Sequence, residues 1–176
     1  ITVGGDQAVT GSNLTETSSE GGIAVTGNET ISGSKVTKTA KNDITVGGDQ
    51  TVTGSNLTES STEGGIAVGG DETITGSSEV TKTAEDNITV GGDQTVTGSN
   101  LTESSSEGGI AVTGNETISG SKVTKTAKGN ITVGGDQTVT GSTLAETGSN
   151  GSIETKGSLT LADTTAQLTA QKALTV

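Results

Sequence analysis

Acidic side chains return at fixed places along this chain, and they are the first candidates for chemistry. Asp6, Asp49, Asp93 and Asp136 each follow a Gly-Gly pair. Paired carboxylates can cleave glycosidic bonds, one as acid and the other as nucleophile or base. Here, however, no His is present to move protons near neutral pH, and no aromatic ring is present to stack on a sugar. The aspartates also return as members of a repeat. The expectation is therefore a protein that is not an enzyme, with no catalytic residue and no cofactor.

A second charged series has a different meaning. Glu16, Lys38, Glu59, Lys82, Glu103, Lys125 and Glu146 alternate in sign at every step. If these positions stack on neighbouring strands, each Lys lies between two Glu residues, whereas a column of like charges would repel along its length. They are expected to form a structural ladder on the outward face of the strands. Gln7, Glu29, Gln50, Glu72, Gln94, Glu116 and Gln137 alternate in the same way, so no two carboxylates become neighbours in that column.

The elements that would position these ladders follow from the repeat. Ile-Thr-Val-Gly-Gly-Asp-Gln begins at Ile1, Ile44, Ile88 and Ile131, and a weaker relative begins at Ile23, Ile66, Ile110 and Ile153. The unit is therefore 21 or 22 residues, one coil of a solenoid. Val3, Val25 and Val46 stand two residues after Ile1, Ile23 and Ile44, the spacing of one strand face. A second apolar column runs through Val9, Ile31 and Val52, and a third through Leu14, Val36 and Leu57. Two glycine columns separate the patches, one from Gly5 and Gly27 to Gly135, the other from Gly11 and Gly33 to Gly141. Both are expected to turn the chain with positive φ. The fold expected is all-β: a parallel β-helix of about eight three-sided coils, right-handed, spanning 1–176 as one unit with coils starting at 1, 23, 44, 66, 88, 110, 131 and 153. Its length would be roughly 40 Å, at about 4.8 Å per rung, around a narrow aliphatic core.

Composition supports this and excludes other classes. Apolar residues make up 26% of the chain and aromatics 0%, too little for an ordinary globular core. The net charge of −12 argues against nucleic acid as partner, because phosphate binding needs clustered Lys and Arg. No apolar run is long enough for a membrane helix, so no membrane insertion is expected. The chain opens on Ile rather than Met and reads as an excerpt of a longer one, and Leu174 and Val176 fall where a ninth coil would begin.

Three further features could bind something. Gly4-Gly5-Asp6 resembles the units of calcium-binding repeat toxins, but their nine-residue tandem is absent, and Asp or Asn in this column (Asn28, Asp71 and Asn115 included) is expected to cap turns by bonding its own backbone. No metal is expected. Asn-x-Thr sequons occur at Asn13, Asn28, Asn56, Asn87, Asn100, Asn115 and Asn130. Thr-x-Thr pairs such as Thr51/Thr53, Thr73/Thr75, Thr95/Thr97 and Thr138/Thr140 resemble the arrays of ice-binding solenoids, although Ala8, Ser32 and Ser119 interrupt them.

Asp43-Ile44-Thr45-Val46-Gly47-Gly48-Asp49 and Gly157-Ser158-Leu159-Thr160-Leu161-Ala162 resemble the haemagglutinin repeats of two-partner-secreted filamentous adhesins and contact-dependent-inhibition exoproteins. That resemblance implies an extracellular or cell-surface stalk that carries a tip away from the cell. Its partners would be neighbouring coils or identical subunits, and a host or neighbouring cell reached through a tip outside this chain. The strict two-coil alternation and the shortage of Asn-rich turns depart from that pattern. Ile110-Ala111-Val112-Thr113-Gly114-Asn115-Glu116-Thr117 resembles the trimeric β-helical needles of phage and type VI secretion spikes, whose valine-glycine period is shorter than the one here.

Overall fold

A computed structural model describes residues 1–76 and 78–176. Every regular element among them is a strand, and each coil contributes three. Coil five is representative, with strands Ile88–Val90, Gln94–Thr97 and Asn100–Ser105. Like strands of successive coils pair in parallel, giving one sheet of nine strands and two of eight. The chain is a three-sided parallel β-solenoid. Leu174–Thr175 supplies the ninth strand of the first sheet, with Leu174 paired to Ile153.

Registers are those of the repeat. Ile66 pairs with Ile44 and Ile88, and Ile74 with Val52 and Val96. Strand geometry sends alternate residues to opposite faces, so Ile88 and Val90, Gln94 and Val96, and Leu101, Glu103 and Ser105 all point inward and are buried. β-Branched side chains suit these short strands, where a stiff side chain stacks on its copy one rung away. Both ends of the solenoid expose apolar side chains: Ile1 at one, Leu161, Leu174 and Val176 at the other.

The two glycine columns turn out to serve different purposes. Gly11, Gly33, Gly54, Gly76, Gly98, Gly120 and Gly141, between the second and third strands, have φ between 55° and 74°. That left-handed conformation disfavours any residue with a Cβ. The column Gly27, Gly48, Gly70, Gly92, Gly114 and Gly135 was expected to be left-handed as well and is not. Crowding selects glycine there. A Cβ on Gly70 would lie 2.1 Å from Asp49 Oδ1, because this corner is itself hydrogen-bonded from coil to coil, Gly70 N donating to Gly48 O at 2.9 Å and Gly92 N to Gly70 O at 2.9 Å.

These two causes separate in a mutant pair. Gly98→Ala meets open space and bears only the left-handed penalty, about 1–2 kcal/mol. Gly70→Ala carries no left-handed penalty but must push Asp49 Oδ1 off its bond to Asp71 N (2.9 Å), at about 1 kcal/mol, and crowd the backbone carbon of Gly48 at 3.1 Å, with overpacking of about 1–3 kcal/mol. Thermal melts should rank the wild type above Gly98→Ala, and Gly98→Ala above Gly70→Ala.

Candidate functional site: a buried polar column

The charged ladder lies inside the solenoid. Lys38, Lys82 and Lys125 are among its largest fully buried side chains, and Glu29, Glu59, Glu72, Glu103, Glu116 and Glu146 are buried with them. This reverses the expectation of a purely aliphatic core with alternating charge on the surface. The signal was present in the sequence: Glu16 stands two residues after Leu14, and Gln7 two before Val9, so each shares the inward face of its apolar neighbour.

Coils two, four and six each hold one tight ion pair: Glu29–Lys38, Glu72–Lys82 and Glu116–Lys125, each at 2.5 Å. Each odd-numbered coil holds an amide donating to a carboxylate: Gln7 to Glu16 at 3.0 Å, Gln50 to Glu59 at 3.1 Å, Gln94 to Glu103 at 3.2 Å and Gln137 to Glu146 at 3.0 Å. The two kinds of coil then grip one another. Gln50 donates to Glu29 (2.8 Å), Gln94 to Glu72 (2.7 Å) and Gln137 to Glu116 (2.7 Å). Lys38 reaches Glu59 at 3.4 Å, Lys82 reaches Glu59 at 3.9 Å, and Lys125 reaches Glu103 at 3.6 Å. Lys125 Nζ also donates to Gln94 Oε1 at 2.8 Å.

Electrostatics keep the lysines charged. Burial alone opposes the ammonium of Lys82, but Glu72, Glu59 and Glu103 outweigh it and push the pKa above the ordinary lysine range. Lys125 is raised in the same way by Glu116, Glu103 and Glu146. On the acidic side, burial raises the Glu29 carboxyl while Lys38 opposes the rise.

The sequence-defined ladder residues are brought together in register: Glu16 pairs with Lys38, Lys38 with Glu59, Glu59 with Lys82, Lys82 with Glu103, Glu103 with Lys125, and Lys125 with Glu146. Coil eight breaks the pattern, with Leu159 beside Gln137 and Leu168 beside Glu146 where Glu and Lys would follow.

The remaining candidates lie on the outside. Asp and Asn of the sixth column were expected to bond their own turns; instead each accepts from the next coil, Asp6 Oδ1 from Asn28 N (2.8 Å), Asn28 Oδ1 from Asp49 N (2.9 Å), Asp93 Oδ1 from Asn115 N (2.7 Å) and Asp136 Oδ1 from Ser158 N (2.8 Å). Asp43, Asn87 and Asn130 do the same at a second corner, on alternate coils. Among the described residues no three acidic, His or Cys side chains converge as metal ligands. Of the sequons, Asn28, Asn87, Asn115 and Asn130 have their side-chain oxygen engaged in these bonds. Asn13, Asn56 and Asn100 stand exposed at the head of third strands. The Thr-x-Thr pairs face outward on the second sheet, Thr51, Thr73 and Thr95 in one column and Thr53, Thr75 and Thr97 in the next.

A serine ladder escaped the sequence reading. Ser34, Ser55, Ser78, Ser99 and Ser121 are buried at the corner after the left-handed glycine. The hydroxyl of Ser55 accepts from Ser34 N (3.1 Å), that of Ser78 from Ser55 N (3.2 Å) and that of Ser99 from Ser78 N (3.2 Å). Each serine's hydroxyl also donates to a carbonyl of the corner before it, as Ser55 does to Thr53 O at 2.8 Å. Ser is so abundant in this chain that one constant column did not stand out.

No family model, curated protein or solved structure matches the chain.

The geometry makes a sharp mutational contrast. Lys82→Leu leaves Glu59, Glu72 and Glu103 without their shared cation and should lower stability by roughly 3–5 kcal/mol, with little rescue by salt because the site is dry. The double change Glu72→Leu with Lys82→Leu copies the apolar pair Leu159 and Leu168 and should be less damaging than Lys82→Leu alone. Denaturant unfolding at low and high salt measures both.

Proposed function

We propose that this chain is a structural rod: the stalk of a secreted or surface-exposed bacterial adhesin or exoprotein, which holds a functional tip at a distance. The observation that carries the reading is where the distinctive side chains lie. The Glu, Lys and Gln ladders of the second and third strands are turned inward and spent on joining one coil to the next, while the charges outside stand mainly at the corners, some of them paired with each other, as Lys41 is with Glu63 and Lys128 with Glu107. Outside, the third strands show mostly Thr, Ser and Asn, with Lys35, Glu79 and Lys122 at their heads, while the second sheet shows only Thr, Ser and Ala. Specific recognition concentrates on a few residues such as Trp, Tyr or Arg in one place, and the sequence has no aromatic residue of any kind. Each coil closes a three-sided core from a single chain, which favours a stalk over an intertwined trimeric needle.

A second reading has one observation in its favour. The second sheet presents aligned Thr columns without a charged residue, Thr51, Thr73, Thr95, Thr117 and Thr138 being in direct register. A periodic hydroxyl and methyl array of this kind suits ice. Thermal hysteresis lost on replacing Thr95 and Thr97 with bulky residues would establish it in place of the stalk.

The rod reading has its own tests. The isolated chain should bind neither glycans nor cells, and saturable binding to a cell-surface ligand would overturn the proposal. Deleting 44–87, two whole coils, brings Lys38 against Glu103 and keeps the alternation; the product should fold with nearly unchanged melting temperature and be shorter by about 10 Å in small-angle scattering. Deleting 66–87 alone stacks Glu59 on Glu103 and Gln50 on Gln94, and should be markedly less stable.

A further inference from the structure

The interior column does not balance its charge. Glu16, Glu29, Glu59, Glu72, Glu103, Glu116 and Glu146 share the core with only Lys38, Lys82 and Lys125, four more carboxylates than ammonium groups. Burying an unpaired charge is costly, and a carboxyl in that position takes up a proton instead. Where the excess falls depends on neighbours. Glu29, Glu72 and Glu116 each hold a lysine at 2.5 Å. Glu59 and Glu103 each lie in register between two lysines. Glu16 has one lysine and is 9% exposed, less dry than the others. Glu146 has one lysine, is 1% exposed, and meets Leu168 on the side where the second lysine would stand.

We infer that Glu146 is a proton-binding site, and that the joint between coils seven and eight is a latch that is closed while this carboxyl is neutral and loosened when it ionises. The groups around it are few. Lys125 and Glu116 face it from coil six, and Lys125 makes its ion pairs with Glu116 and Glu103. Gln137 of its own coil donates to Oε1 and is held from coil eight by the Thr155 hydroxyl, at 3.0 Å. Glu103 adds negative charge from one coil further away, and the third strand of coil eight brings only Leu168. Burial first, and then the charge of Glu116, raise the carboxyl from 4.5 to about 7 against the opposing pull of Lys125 and the Gln137 hydrogen bond.

The sign follows from the raised value. A carboxyl held above its unfolded pKa contributes stability that is fully present below about 4.5 and is lost as pH rises through about 7. The part of the molecule affected is coil eight, whose third strand is tied to coil seven through Thr165 N to Ser142 O, Gln171 N to Gly148 O and Lys172 N to Gly151 O. Ionising Glu146 sets a carboxylate held by a single amide, that of Gln137, against Leu168, and opening the joint between coils seven and eight brings water to it.

The experiment is hydrogen exchange of the Thr165, Gln171 and Lys172 amides, corrected for intrinsic rate, with side-chain carboxyl carbon shifts read in parallel. Between about pH 5 and about pH 8 the wild type should lose protection there by on the order of 100-fold. Glu146→Gln, a neutral isostere, should remain protected throughout. Leu168→Lys supplies the absent cation, should bring the Glu146 titration below 4.5, and should remove the loss of protection. A Glu146 carboxyl that titrates at or below 4.5 in the wild type overturns the proposal, as does a loss of protection that persists unchanged in Glu146→Gln.

Discussion

The interaction on which this solenoid depends is the alternating contact between an ion-pair coil and an amide-carboxylate coil. Aliphatic side chains alone would discriminate little between coils, since Ile pairs with Ile in the first sheet and Val with Ile, of nearly the same size, in the second. The polar column is selective. Lys82 has Glu59 on one side and Glu103 on the other, and a slip of one coil would set Glu on Glu and Gln on Gln. In a low-dielectric interior such a mismatch costs far more than on a surface. The buried charges thus specify order along the axis, and the aliphatic columns supply the bulk of the hydrophobic gain.

Outside that column, the corners satisfy backbone groups that a sheet leaves unpaired. Turn N–H groups have no ladder partner of their own, and unsatisfied buried ones are costly. Three devices meet the need: side-chain oxygens of Asp and Asn accepting from the next coil, serine hydroxyls doing the same at the corner after the second strand, and glycine backbones pairing directly with glycine backbones. Each runs parallel to the axis, so each tightens the joint between coils as the sheets do. A chain with 0% aromatic residues can be ordered on this basis because its hydrogen bonding is periodic and nearly all of it is between coils.

The sequence was informative wherever a property repeats in one dimension. Period, strand number, register and the left-handed glycines at Gly11, Gly33 and Gly54 follow from aligned columns. Side-chain direction at Glu16 and Lys38 is where hydropathy and strand parity disagree: hydropathy sends a lysine to water, but Lys38 stands two residues after Val36 on the same strand face, and parity prevails. The crowded glycines and the reach of Asp49 to Asp71 N are different in kind. Both arise from contacts between coils, whose geometry depends on how corners stack and not on any spacing along the chain.

Parity within the core also explains a feature of the sequence that the fold alone leaves open. One coil is the structural unit, yet the closest copies lie two coils apart: Ile1, Ile44, Ile88 and Ile131 open near-identical blocks while Ile23, Ile66 and Ile110 open another set. A solenoid with an aliphatic core could grow by copying one coil. This one cannot, because a duplicated even coil would place its lysine on a lysine, and a duplicated odd coil would place carboxylate on carboxylate in a column where exposure is 1% or less for Lys82 and Glu103. The smallest segment that can be inserted without a like-charge contact is a pair of coils. The double-coil period of the sequence is therefore the outward sign of charge alternation in the core, and it ends where that alternation ends, at Leu159 and Leu168.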